Sequence, residues 1–164
     1  MRKNRTRGGT LVEFALAGVP IIFVLISIFE MARGMWMYAT IAYAVREGAR
    51  FAIVKGHNCS GCGVTVARVA RQIRDAGVGL DTNAMTVNLI AAGNTTPCAP
   101  LQTCIDNGGG TQWPPAAANG VGQSIAITAT IPFRSALSMF WPGRSALVFG
   151  PQTFTARAEE RIQF

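Results

Sequence analysis

The feature that most constrains this chain is an apolar run, residues 11–29, that contains one charged side chain, Glu13. At about 1.5 Å per residue, a helix of this length covers roughly 28 Å, the hydrocarbon thickness of a bilayer. A carboxylate that stays charged in lipid costs about 2–3 kcal/mol on insertion scales. We therefore expect a single membrane-spanning helix in which Glu13 finds a compensating partner.

A short basic leader precedes this run and ends at Gly8-Gly9. The leader holds four of the 15 basic residues, so the net charge of +7 falls to +3 without it. Positive charge ahead of an apolar segment favours a cytoplasmic N-terminus, with the C-terminal domain across the membrane, over nucleic-acid binding. Because the small residues precede the run instead of following it, we expect the helix to remain as an anchor.

The helix is expected to continue beyond the membrane. We assign residues 9–30 to the membrane and residues 31–55 to an extramembrane continuation, because apolar residues recur at alternating spacings of four and three. Its partner is either the chain's own domain or a helix of another protein. The residues of this predicted stripe are Met31, Met35, Tyr38, Ala42, Val45, Ala49 and Ala52.

Residues 56–164 predict one small α+β domain on the periplasmic or extracellular side. A turn-rich break at residues 56–63 leads to an amphipathic helix at residues 64–76, which Gly77 ends. We expect this second helix to pack on an antiparallel sheet of three or more strands. Alternating apolar residues predict strands at residues 85–90, 124–131 and 153–158.

Two connections differ in composition. Residues 94–122 are rich in Pro, Gly, Thr and Asn and predict a long surface loop. Residues 136–141 read Ala-Leu-Ser-Met-Phe-Trp, an unusually apolar connection. We expect the latter to rest on the edge of the core, on the membrane or on a partner.

Four cysteines lie on the side assigned outside the cytoplasm, where disulfides persist. We expect two disulfides, and the sequence leaves three pairings open. A zinc site is less favoured because only the first pair has zinc-like spacing. A redox pair lacks the preceding βαβ unit that such motifs occupy. The cysteines are Cys59, Cys62, Cys98 and Cys104.

Three separated blocks now combine into one pattern. Gly8 ends the basic leader, Glu13 and Phe14 open the apolar run, and Pro20 lies within it. A block at residues 44–50, Ala-Val-Arg-Glu-Gly-Ala-Arg, follows in the helical continuation. The order resembles the signal of type IV pilin-like proteins and, more closely, the TadE-like family, the pseudopilins or minor pilins of the Flp/Tad tight-adherence pilus.

The resemblance implies a processing step and a set of partners. A prepilin peptidase would cut between Gly8 and Gly9, which would make Glu13 the fifth residue of the mature chain. Its carboxylate would pair with an N-terminal amine, its own or that of a neighbouring subunit. The implied partners are the membrane, other pilin-like subunits and the Tad assembly platform, with a location in the bacterial inner membrane or a surface pilus.

The sequence contains none of the motifs that point to catalysis, such as a phosphate-binding loop, a dinucleotide fingerprint or a zinc-protease helix. We expect no enzyme activity, no cofactor or metal, and no nucleic-acid or small-molecule substrate. The alternative interpretation is a signal-anchored periplasmic binding or sensing module that keeps its leader and is never assembled.

Overall fold

A computed structural model of the chain describes residues 9–56, 64–135 and 152–163. It confirms the α+β class: a long N-terminal helix is followed by a small domain of helices and an antiparallel sheet. Two short 3-10 turns, Gly108–Gly110 and Ala116–Ala118, follow the third helix. The helices and strands are α1 (Gly9–Gly56), α2 (Val66–Ala76), β1 (Thr86–Ala91), β2 (Asn94–Cys98), α3 (Leu101–Asn107), β3 (Ser124–Phe133) and β4 (Gln152–Arg161).

The sheet has the strand order β2-β1-β3-β4, with every neighbouring pair antiparallel. Side chains alternate between its two faces, so one face is apolar and covered, and the other is largely polar. A layer of the covered face joins Leu89, Ile127 and Ala158 across three strands, all of them buried. On the polar face, Thr130 pairs with Thr155, and their hydroxyl oxygens lie 3.1 Å apart.

The C-terminal half of α1 covers the apolar face and forms the centre of the domain, because it packs against β3, β4 and α2. The contact is close. A Cβ atom placed on Gly48 would lie 2.5 Å from Cγ1 of Ile73 on α2 and 3.5 Å from Cδ1 of Ile127 on β3. The buried residues of α1 are mostly small: Gly34, Ile41, Ala44, Val45, Gly48, Ala49, Ala52 and Gly56.

The second helix begins and ends at recognisable caps. The Thr65 side chain accepts a hydrogen bond from the amide of Arg68, as an N-cap residue does. The amide of Gly77 donates to the carbonyls of Ile73 and Arg74 and ends the helix. The predicted stop is therefore confirmed, and the helix starts two residues later than expected because the cap lies at Thr65.

The predicted stripe on α1 is correct only in its C-terminal half. Val45, Ala49 and Ala52 are buried, whereas Met31 and Tyr38 are 73% and 52% exposed. These first residues still face the sheet, because Tyr38 meets the ring of Phe154 on β4. They stay exposed because α1 passes only the ends of β3 and β4 at this level, where the sheet covers the helix in part.

The long surface loop predicted at residues 94–122 is wrong. This part of the chain contains β2, α3 and two 3-10 turns, and it buries Leu101, Ile105 and Trp113. Pro97 is tolerated because β2 is an edge strand, where one side of the backbone needs no ladder partner. Residues 57–63 of the predicted break and the apolar connection at residues 136–141 lie outside the described residues.

The close approach of α1 and α2 can be tested at Gly48. We expect Gly48→Ala to lower the free energy of unfolding by roughly 1–3 kcal/mol, because the added methyl group overpacks against Ile73. The matched control is Gly34→Ala, whose methyl group would meet Phe154 at an ordinary 3.5 Å. Denaturation of the full chain in detergent, followed by circular dichroism, measures both. Equal stability of the two variants would contradict the packing described for α1.

Candidate functional site

The N-terminal half of α1 is an apolar surface that the described part of the domain leaves uncovered. Within the described ranges, α1 is the helix long and apolar enough to cross a membrane. Contiguous exposed apolar surface on this scale marks contact with lipid or with other proteins. Large side chains exposed on this half include Leu11, Val12, Phe14, Leu16, Ile21, Ile22, Leu25, Ile28 and Phe29.

Glu13 and Phe14 lie at the free end of this surface. Because α1 begins at Gly9, Glu13 lies four residues, or about 6 Å, along the helix axis from the first described residue. Phe14 is 78% exposed. Within the described residues, no hydrogen bond or ion pair involves Glu13. Gly8 lies outside the described residues, so cleavage beside it stays a prediction.

The structure joins Cys98 to Cys104 in a disulfide. Cys98 is the last residue of β2 and Cys104 lies within α3, so the bond ties this short helix to an edge strand of the sheet. Both cysteines are buried. Of the partners that the sequence leaves open for Cys98, Cys104 is the nearest along the chain. Cys59 and Cys62 lie outside the described residues.

A deep apolar groove lies between α1 and the ends of β3 and β4, with a volume of about 760 Å³. Gly34 is buried there, and a Cβ atom at this position would meet Phe133 and Phe154 at ordinary contact distances. The ring centroids of Phe133 and Phe154 lie 5.3 Å apart, and Tyr38 meets Phe154 edge-on at 6.3 Å. The remaining lining residues are Ser27, Glu30, Met31, Met35, Ala39, Ser135 and Gln152.

Beside this groove, the charge of Arg33 is fully engaged. Its guanidinium pairs with the Glu30 carboxylate at 3.3 Å and donates to the backbone carbonyl of Arg134. Its Cζ atom also lies 4.8 Å from the centroid of the Phe133 ring, a cation–π contact. These contacts fasten α1 to the end of β3.

Sequence reasoning missed this groove. Phe133 and Phe154 continue the covered-face alternation of β3 and β4, and that alternation is the signal that could have identified them. The sequence could not show that α1 presents Gly34 at the same level.

Within residues 9–56, 64–135 and 152–163, no group of three His, Cys, Asp or Glu side chains is placed to hold a metal ion.

A family model described as TadE-like protein matches residues 8–50. This match confirms the resemblance inferred from Gly8, Glu13 and the block at residues 44–50, and it covers most of α1. No curated protein and no solved structure matches the chain. The family match supports a general role as a minor pilin related to the Tad pilus, and TadE-like pilins are not a family of enzymes.

The disulfide leads to a stability prediction. We expect the double variant Cys98→Ala, Cys104→Ala to lose about 2 kcal/mol of unfolding free energy, the loop-closure value for a ring this short. Urea unfolding of the full chain under non-reducing conditions measures the loss. Thr95→Ala, an exposed change on β2 outside the ring, is the control and should change little. A non-reducing digest in which Cys98 is joined to Cys59 or Cys62 would refute the pairing.

Proposed function

We propose that this protein is a TadE-like pseudopilin, a minor pilin of a Tad pilus, which a prepilin peptidase cuts between Gly8 and Gly9. After cleavage, Glu13 is the fifth residue of the chain and pairs with an N-terminal amine, its own or that of a neighbouring pilin-like subunit. The processed protein acts in initiating, priming or capping the pilus, together with the Tad assembly platform.

The observation that carries this proposal is the long exposed apolar half of α1 with Glu13 near its end, in the region that the family model matches. An uncovered helix of this kind needs lipid or other apolar helices around it. A carboxylate near the start of such a helix suits both the helix macrodipole and a neighbouring amine. The same apolar surface of α1 contacts lipid while the protein is in the membrane and other helices once the protein is assembled.

The proposed topology follows from charge and disulfide chemistry. The basic leader, residues 1–8, stays in the cytoplasm until it is removed, and residues 9–30 cross the inner membrane. Residues 31–55 continue α1 outside the membrane, and residues 56–164 form the periplasmic domain. The disulfide between Cys98 and Cys104 suits that compartment, because cytosolic thiols are kept reduced.

Processing is tested directly by the mass of the chain. In cells that contain a prepilin peptidase, we expect the membrane-extracted protein to begin at Gly9. Gly8→Leu should retain the leader, because a bulky side chain at the cut blocks access of the peptidase. The matched control, Gly18→Leu, makes the same change further along the helix and should be processed normally. A leader that persists in the wild-type chain would favour the uncleaved periplasmic binding or sensing module.

The Glu13→Ala variant distinguishes insertion into the membrane from association with other subunits. We expect Glu13→Ala to be cleaved normally and to insert at least as well as wild type, because removing the charge lowers the cost of lipid by up to about 2–3 kcal/mol. Crosslinking to the other pilin-like subunits should fall, because a partner amine loses its counter-charge.

The control for this experiment is Glu47→Ala, the same change on the extramembrane part of α1. Glu47 forms a surface pair with Arg50 at 3.7 Å, and such pairs contribute little. If Glu13→Ala crosslinks as efficiently as Glu47→Ala, Glu13 is not an assembly contact. If Glu13→Ala fails to insert, the argument from buried charge is wrong.

A further inference from the structure

The groove between α1, β3 and β4 has no place in the proposed processing or assembly. It begins at Ser27, which lies inside the apolar run at residues 11–29, and extends along α1 to Ala39. Its volume of about 760 Å³ is that of a ligand site, and its walls are mainly methionine and aromatic side chains. One end therefore opens at the depth of the membrane interior.

In the sequence, Glu30 and Arg33 interrupt the apolar character of α1. In the structure, the two side chains form a pair beside the groove. Each charge is neutralised by the other at 3.3 Å, and the guanidinium also bonds to the Arg134 carbonyl and stacks on Phe133. The Glu30 side chain is 15% exposed, and that of Arg33 is 46% exposed. Charges that are paired with one another are the kind that membrane segments tolerate.

Beyond this pair, the exposed face of α1 remains apolar and then turns aromatic. Met31 and Met35 are exposed at 73% and 70%, and Trp36 and Tyr38 follow with about half of their surface exposed. Tryptophan and tyrosine are enriched at the level of lipid headgroups. Apolar side chains followed by aromatic ones are expected where a helix passes from the hydrocarbon region to the headgroups of one leaflet.

We propose that the groove holds an acyl chain of a membrane lipid. This proposal revises the topology given under the proposed function, because it moves the outer membrane boundary from Glu30 to Trp36 and Tyr38. The ends of β3 and β4 then rest on the leaflet, and Phe133 and Phe154 close the groove over the lipid chain. The argument for a lipid over another occupant is continuity: at Ser27 the groove meets the exposed apolar surface of the membrane segment. The inference rests on membrane anchoring by α1 and not on processing or pilus assembly.

The test places a photoreactive side chain in the groove of the full-length protein in phospholipid membranes. We expect Phe154→p-benzoylphenylalanine to form a lipid adduct upon irradiation, at a yield several-fold above that of the same replacement at Tyr43. Tyr43 is 57% exposed on α1 and does not line the groove. Phe23→p-benzoylphenylalanine is the positive control, because a lipid adduct there reports insertion of α1 independently of the groove.

A groove-filling substitution sharpens the result. Ala39 lines the groove and is exposed, so Ala39→Trp should lower the lipid adduct at Phe154 several-fold. Ala32→Trp makes the same change at an exposed position of α1 outside the lining and should leave the adduct unchanged. Tyr38→p-benzoylphenylalanine provides a second probe in case the Phe154 replacement disturbs folding.

The mass of the crosslinked product identifies what occupies the groove. A lipid adduct at Phe154 or Tyr38 that Ala39→Trp suppresses supports the proposal. A crosslink within the chain to residues 136–151, or to a second copy, overturns it. A lipid adduct at Phe23 with none at Phe154 or Tyr38 also overturns it while leaving the membrane anchor intact. A missing adduct at Phe23 instead counts against the anchor on which the proposed function depends.

Discussion

The close packing of the C-terminal half of α1 is the contact on which the rest of the structure depends. One continuous helix serves as an exposed apolar rod at one end and as the central element of a folded domain at the other. Gly48 and its alanine neighbours make this possible, because small side chains let α2 and β3 approach the same stretch of helix from different sides. The domain is thereby fixed to the rod through packing and not through a linker.

The elements predicted from sequence are those whose signal is local. The apolar run, the Gly77 stop of α2 and the alternation along β3 each depend on neighbouring residues alone. By contrast, β2 and α3 show no apolar repeat of their own: β2 is held by pairing with β1 across the turn at Ala92 and Gly93, and α3 is tied back by the bond from Cys104 to Cys98. A polar five-residue strand that contains Pro97 carries no periodicity of its own, so composition alone indicates a loop.

The residues of the candidate site also fall into those that the sequence predicts and those that only the structure brings together. Gly8, Glu13 and Phe14 form a pattern that spacing along the chain is enough to reveal, and the family match rests on that region. The groove is invisible to such reasoning, because Gly34 and Phe154 are separated by most of the sequence and meet only when β4 pairs at the end of the sheet. The bond from Arg33 to the Arg134 carbonyl is likewise a tertiary contact that sequence spacing does not reveal.

The position of the outer membrane boundary also determines where Glu13, near the other end of α1, lies in the bilayer. From Glu13 to Trp36 the helix axis measures about 35 Å at about 1.5 Å per residue. At the average tilt of about 20°, this projects to roughly 32 Å across the bilayer, slightly more than the hydrocarbon core. With Trp36 at the outer boundary, Glu13 therefore lies at the inner one and not deep in lipid. Its charge then costs less in the membrane than a boundary at Glu30 implies. If the outer boundary lies at Trp36, as proposed, the pairing of Glu30 with Arg33 affects the opposite end of the helix, because it lets these two charges lie below the membrane surface.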